Sequence, residues 1–63
     1  MDTYITIEWP EGFRPSEFKV ADCPATALRW MDEFFYTYPF DGCVWSLSNQ
    51  PHEEYPLSVY ERI

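Results

Sequence analysis

CPATALRWMDEFFYTYP, residues 23–39, is the one stretch with a helical repeat long enough to organise the rest of the chain. Proline at the first helical position loses no needed hydrogen bond and has its φ pre-set, so Cys23–Pro24 reads as a helix start, with Asp22 adding a favourable charge. At about 100° per residue, Ala27, Leu28, Trp30, Met31, Phe34 and Phe35 share one arc. Thr26, Arg29, Asp32, Glu33 and Tyr36 fall on the other. The exit is expected at Tyr38–Pro39, since the residue before a proline leaves helical geometry, and Asp41–Gly42 completes a turn.

Outward from this helix the period changes from 3.6 to 2. Upstream, Phe18–Ala21 is a short strand, and Thr3–Trp9 alternates Ile5, Ile7 and Trp9 against Tyr4, Thr6 and Glu8. Between them, Pro10–Ser16 holds two prolines and Gly12, the composition of a turn. Downstream, Cys43, Trp45 and Leu47 alternate with Val44, Ser46 and Ser48. Asn49–Pro56 is a polar loop, and Leu57–Ile63 is expected to be a fourth strand. The order β-β-α-β-β makes residues 1–63 a single α+β domain, with one amphipathic helix packed on a three- or four-stranded, mainly antiparallel sheet. The expected core is Ile5, Ile7, Trp9, Phe18, Val20, Ala27, Met31, Phe34, Phe35, Trp45, Leu47 and Val59. With no second helix, the other sheet face is expected to be open to solvent or to a partner.

Eleven acidic residues face Arg14, Lys19, Arg29 and Arg62, for a formal charge of -7, and they are spread from Asp2 to Glu61. Such a field disfavours direct contact with nucleic acid or anionic membranes and favours basic surfaces. A hydrophobic content of 46% with three Trp, five Tyr and five Phe is the opposite of a disordered composition. No stretch approaches the roughly 20 apolar residues of a membrane span, and the N-terminus has no leader pattern, so a cytoplasmic protein is expected. Cys23 and Cys43 are expected as free, partly buried thiols.

Catalytic and metal motifs are sparse. His52 is the only imidazole, and its position beside Glu53 and Glu54 reads as an exposed loop histidine. A zinc site from Cys23, Cys43 and His52 lacks the paired spacing such sites use. Neither Asp32–Glu33 nor Glu53–Glu54 is a convergent carboxylate pair, because adjacent side chains point apart. Gly12 and Gly42 are too far apart for a phosphate loop. No enzyme activity, cofactor or metal is therefore expected.

Acidic and aromatic residues are interleaved instead, and from these Glu8, Glu11, Phe13, Asp32, Glu33, Tyr36, Glu53, Glu54 and Tyr55 are the candidate binding residues. Tyrosine and tryptophan dominate binding hot spots, although aromatics at a thin core edge with solubilising acids would give the same pattern. Two geometries fit. The carboxylates can imitate DNA phosphates along a groove, or an aromatic patch can wedge into a partner while the acids steer its approach.

FKVADCPATALRWMDEFFYTYPFDGCVW, residues 18–45, resembles the small acidic proteins with which bacteriophages disable host enzymes, in particular the host RNA polymerase inhibitors of short-tailed phages. The chain departs from that pattern in Leu57–Ile63 and in the aromatic run Phe34–Tyr38. The resemblance implies an inhibitor, monomer or dimer, acting in the host cytoplasm on the basic surface of a nucleic-acid-binding protein such as an RNA polymerase, restriction, repair or CRISPR component. The alternative is a small accessory subunit of a larger complex.

Overall fold

The computed structural model describes residues 1–38 and 42–63. Its elements are β1 (Thr3–Glu8), β2 (Glu17–Ala21), α1 (Pro24–Thr37), β3 (Val44–Ser48), a 3₁₀ turn (Leu57–Val59) and β4 (Glu61–Arg62). One helix on a mixed sheet in the order β3-β1-β2-β4 confirms the α+β class. β1 pairs antiparallel with both β2 and β3, whereas β4 runs parallel to β2.

The helix begins as its sequence dictates. Cys23 is the extended N-cap and Pro24 opens the first turn, while the Tyr38 N–H closes the last by donating to the Phe34 carbonyl at 2.7 Å. The exit expected at Pro39 and the Asp41 half of the next turn lie outside the described residues. Ala27 and Phe34 are the buried helix positions. They are seven residues apart and so nearly in line, whereas Leu28 stands about 100° further round and is exposed rather than on the buried arc.

Register then decides which side chains meet the helix. Residues opposite each other on paired strands share a face. Ile5 faces Lys19 and Leu47, and Ile7 faces Glu17 and Trp45, so these six look toward α1. Tyr4 faces Val20 and Thr6 faces Phe18, so these four look away from it. Val20 is buried as expected, but on the face opposite Ile5 and Ile7, and Phe18 is half-buried on that same far face instead of joining the helix-side core. Lys19 and Glu17 take those places: the Trp9 indole N–H donates to Glu17 Oε2 at 3.1 Å, and the Lys19 ammonium pairs with Glu61.

The helix-side core is Ile5, Ile7, Trp9, Ala21, Ala27 and Phe34, with Trp30, Phe35, Cys43 and Trp45 packed against it. Trp45 sits among helix rings, 4.8 Å from Trp30 and 4.9 Å from Phe34 between centroids. Met31 is half-buried, while Leu47 and Val59 are each 40% exposed and leave the expected core. For Leu47 the cause is position on an edge strand.

The expected strand Leu57–Ile63 is corrected as well. Its first half is the 3₁₀ turn and only Glu61 and Arg62 form a strand, with the Ile63 N–H donating to the Val20 carbonyl at 3.0 Å. Pro56 supplies the break that sends this segment across the sheet instead of along it. Nor is the far sheet face bare. Tyr60 lies edge-on to Tyr4 at 5.2 Å and Tyr55 packs on Phe18 at 4.2 Å, so residues 52–60 form a second layer there.

Candidate functional site

Most of the positive charge is consumed inside the fold. Arg14 pairs with Glu17 and lies over the Trp9 ring at 4.8 Å. Lys19 pairs with Glu61 and lies 5.8 Å from the Trp30 ring, and Arg62 pairs with Asp2 at 3.3 Å. None of Glu8, Glu11, Asp32, Glu33, Glu53 and Glu54 takes part in these pairs, and all six are exposed. The net negative charge is accordingly displayed outward by the candidate residues.

The fold sorts the nine candidates into three groups. Glu8, Glu53, Glu54 and Tyr55 meet around a cleft of about 350 Å³ between the far sheet face and the turn at residues 52–55. Asp32 and Tyr36 lie along the outer face of α1, where Tyr36 is 90% exposed, and Glu33 stands at its margin beside the cleft between α1 and β2. Glu11 and Phe13 occupy the turn after β1, and Phe13 stacks on Trp9 at 5.3 Å. Trp9 also meets Phe34 edge-on at 5.2 Å, so one indole ties the turn to the helix. Tyr55 is half-buried against Phe18, which makes it a covering ring rather than a displayed one.

Three residues of the cleft escaped the sequence reading: Thr6, Ser46 and His52. Thr6 and Ser46 are cross-strand partners, so both hydroxyls stand on the face that carries Glu8. Alternation along β1 was the available signal for Thr6. His52 is half-buried rather than an exposed loop residue, because its backbone N–H donates to the Tyr60 hydroxyl at 3.2 Å and its ring meets Tyr55 at 6.0 Å. The Tyr55 N–H donates to the His52 carbonyl at 3.1 Å and closes the turn.

Among the described residues, Thr6 Oγ1, His52 Nε2 and Trp45 Nε1 are buried with no hydrogen-bond partner. An unmatched buried polar atom costs about 1–3 kcal/mol, so two of them at one cleft are a stored capacity for a ligand or solvent. Ionisable groups elsewhere follow local causes. The Thr26 hydroxyl beside Asp22 holds that carboxyl below its ordinary value, and the Lys19 ammonium does the same for Glu61. Burial pushes the Cys43 thiol up, keeping it protonated at neutral pH. Cys23 and Cys43 are free and half-buried.

A second cleft, of about 440 Å³, opens between α1 and β2 among Trp9, Trp30, Phe34 and Tyr38. Arg14, Lys19, Glu17 and Glu33 border it, so its charges are mixed. Among the described residues, no three His, Cys, Asp or Glu side chains are grouped to hold a metal ion, and no helix is long and apolar enough to cross a membrane. No family model matches the chain, and neither the curated proteins nor the solved structures provide a match.

Proposed function

We propose that this protein is a non-catalytic acidic binding protein that occupies the basic surface of a nucleic-acid-handling enzyme, in the manner of a phage inhibitor acting in the host cytoplasm. The observation that carries this reading is the division of charge: three of the four cations are tied to carboxylates within the fold, while six candidate carboxylates stand exposed outside those pairs. Exposed carboxylates set in three groups around a small body suit a partner whose surface is built for phosphates. Phe13 and Tyr36 supply apolar area beside them.

Immobilised protein exposed to bacterial lysate at low and high salt tests this. The expected capture is a nucleic-acid-binding protein, released by salt, by added duplex DNA and by the combined changes Glu8→Gln, Glu53→Gln and Glu54→Gln. Retention of a partner that ignores all three treatments contradicts the proposal.

A second reading, a small accessory subunit, is favoured by β3. This edge strand, VWSLS, carries no charge or proline to discourage pairing, and it exposes Val44 and Leu47. A salt-resistant complex lost on Val44→Lys would select it.

A further inference from the structure

The cleft between the far sheet face and the 52–55 turn has a composition that specifies its occupant more closely than the surface as a whole does. It is lined by Thr6, only 4% exposed, and by His52, and among the described residues neither the buried Thr6 Oγ1 nor the buried His52 Nε2 has a hydrogen-bond partner. Ser46, opposite Thr6 on β3, adds a second hydroxyl. Glu8, Glu53 and Glu54 line the cleft too, and among the described residues no Lys or Arg side chain does. A buried hydroxyl, an imidazole nitrogen that accepts when Nδ1 carries the proton, and three carboxylates call for a ligand that is positively charged and donates in several directions at once.

Guanidinium fits that description better than ammonium. It presents five N–H donors in a planar fork, accepts nothing, sheds water more readily, and stacks on aromatic rings such as the Tyr55 and His52 rings beside the cleft. A lysine offers a compact, strongly hydrated charge instead. We infer that the cleft is an arginine receptor: a single arginine side chain of the protein partner enters it, Glu8, Glu53 and Glu54 hold its charge, and a small outward shift of the 52–55 turn brings Thr6 Oγ1 and His52 Nε2, both closed to solvent in the free protein, within reach of its N–H groups. This assignment rests on the proposed binding of a basic protein surface and names the group that anchors it.

The test uses the whole chain, labelled for backbone NMR, and three blocked amino acids as probes: N-acetyl-arginine amide, N-acetyl-lysine amide and N-acetyl-citrulline amide. Arginine is expected to give saturable shifts at the amides of Thr6, Ser46, His52 and Glu53 and little change along α1. Citrulline, the neutral isostere, should bind roughly tenfold more weakly or worse, the loss of a charge-assisted interaction. Lysine should fall between the two. Thr6→Val keeps the shape of the side chain and removes the unmatched hydroxyl, so it should fold at least as well as the parent yet weaken arginine binding. Glu53→Gln with Glu54→Gln alters only exposed turn residues and should weaken it too.

Shifts that spread over every acidic segment without saturating, equal binding of lysine, or indifference to both variants would overturn the assignment. A captured basic partner whose affinity survives Thr6→Val and the Glu53/Glu54 change removes the arginine receptor and leaves the acidic-surface function standing. Saturable arginine binding at the cleft, with no basic protein retained from lysate, does the reverse.

Discussion

The Phe18 and Tyr55 rings lie 4.2 Å apart between centroids, tilted by 41°, on the sheet face turned away from the helix. Tyr60 joins them at 5.8 Å from Phe18 and reaches Tyr4 on the neighbouring strand. A two-residue strand and one turn of 3₁₀ helix have little backbone bonding of their own, so these rings are what fasten residues 52–60 to the sheet.

Tyr55→Ala is therefore expected to destabilise the domain by about 1–3 kcal/mol, less than a fully buried aromatic because Tyr55 is only half-covered. Urea unfolding should show a lower midpoint with little change in slope. Hydrogen exchange should quicken at the Tyr55 and Ile63 amides, which bond within or beside this layer. An unchanged midpoint would mean that the second layer contributes nothing to stability.

Ile5 and Leu47 are direct partners across β1 and β3, yet the first is fully buried and the second 40% exposed. Ile5→Ala should cost about 2–5 kcal/mol, a large part of what a small domain possesses. Leu47→Ala should cost less than about 1 kcal/mol, since much of its side chain is already in water. Equal losses in thermal melts would contradict the placement of the core over β1.

The helix, the first three strands and the central pair Ile5 and Ile7 are legible in the sequence because each is carried by local periodicity and punctuation: Pro24 at the helix start, and Pro10 and Gly12 between strands. What local pattern does not carry is register. Phe18 and Val20 alternate perfectly with Glu17, Lys19 and Ala21, and alternation alone says that the two sets oppose each other, not which one meets the helix. The longer reach of residues 52–60 across the far face was hidden for the same reason, since it depends on contacts with Phe18 and Tyr4 more than thirty residues away in sequence. The candidate carboxylates were recognisable from charge. The gathering of Glu8 with Glu53 and Glu54 around one cleft, with the buried Thr6 and the half-buried His52, follows only from that crossing.

Gly12 has φ of +79°, and the Phe13 N–H donates to the Pro10 carbonyl at 3.0 Å. Those are the third position and closing bond of a type II turn, which a side chain enters only at a cost. No atom lies near the place a Cβ would take, so the penalty of Gly12→Ala is purely conformational and should be about 1–2 kcal/mol. Replacement by D-alanine in a synthetic chain reverses the steric preference and should be neutral or stabilising. A loss of stability with D-alanine equal to that with L-alanine would reject the assigned turn.

Lys19 and Glu61 lie opposite each other on the parallel pair β2 and β4, and their contact lowers the Glu61 carboxyl from its ordinary value. Asp22 is lowered too, by the Thr26 hydroxyl first. A carboxyl with a lower pKa folded than unfolded binds its proton more readily in the unfolded chain. Its stabilising contribution is therefore present above the unfolded value, about 4 for these groups, and is lost as pH falls through the folded value. Melting temperature should accordingly fall more steeply once pH drops below about 4, and Glu61→Gln should flatten that limb by lowering the neutral plateau toward the acid value, a small change because the exposed glutamate is well screened by water. Added salt should shrink the difference between the two proteins. A parent and a Glu61→Gln variant with superimposable acid limbs at low salt would show that the pair does not hold the last strand to the sheet.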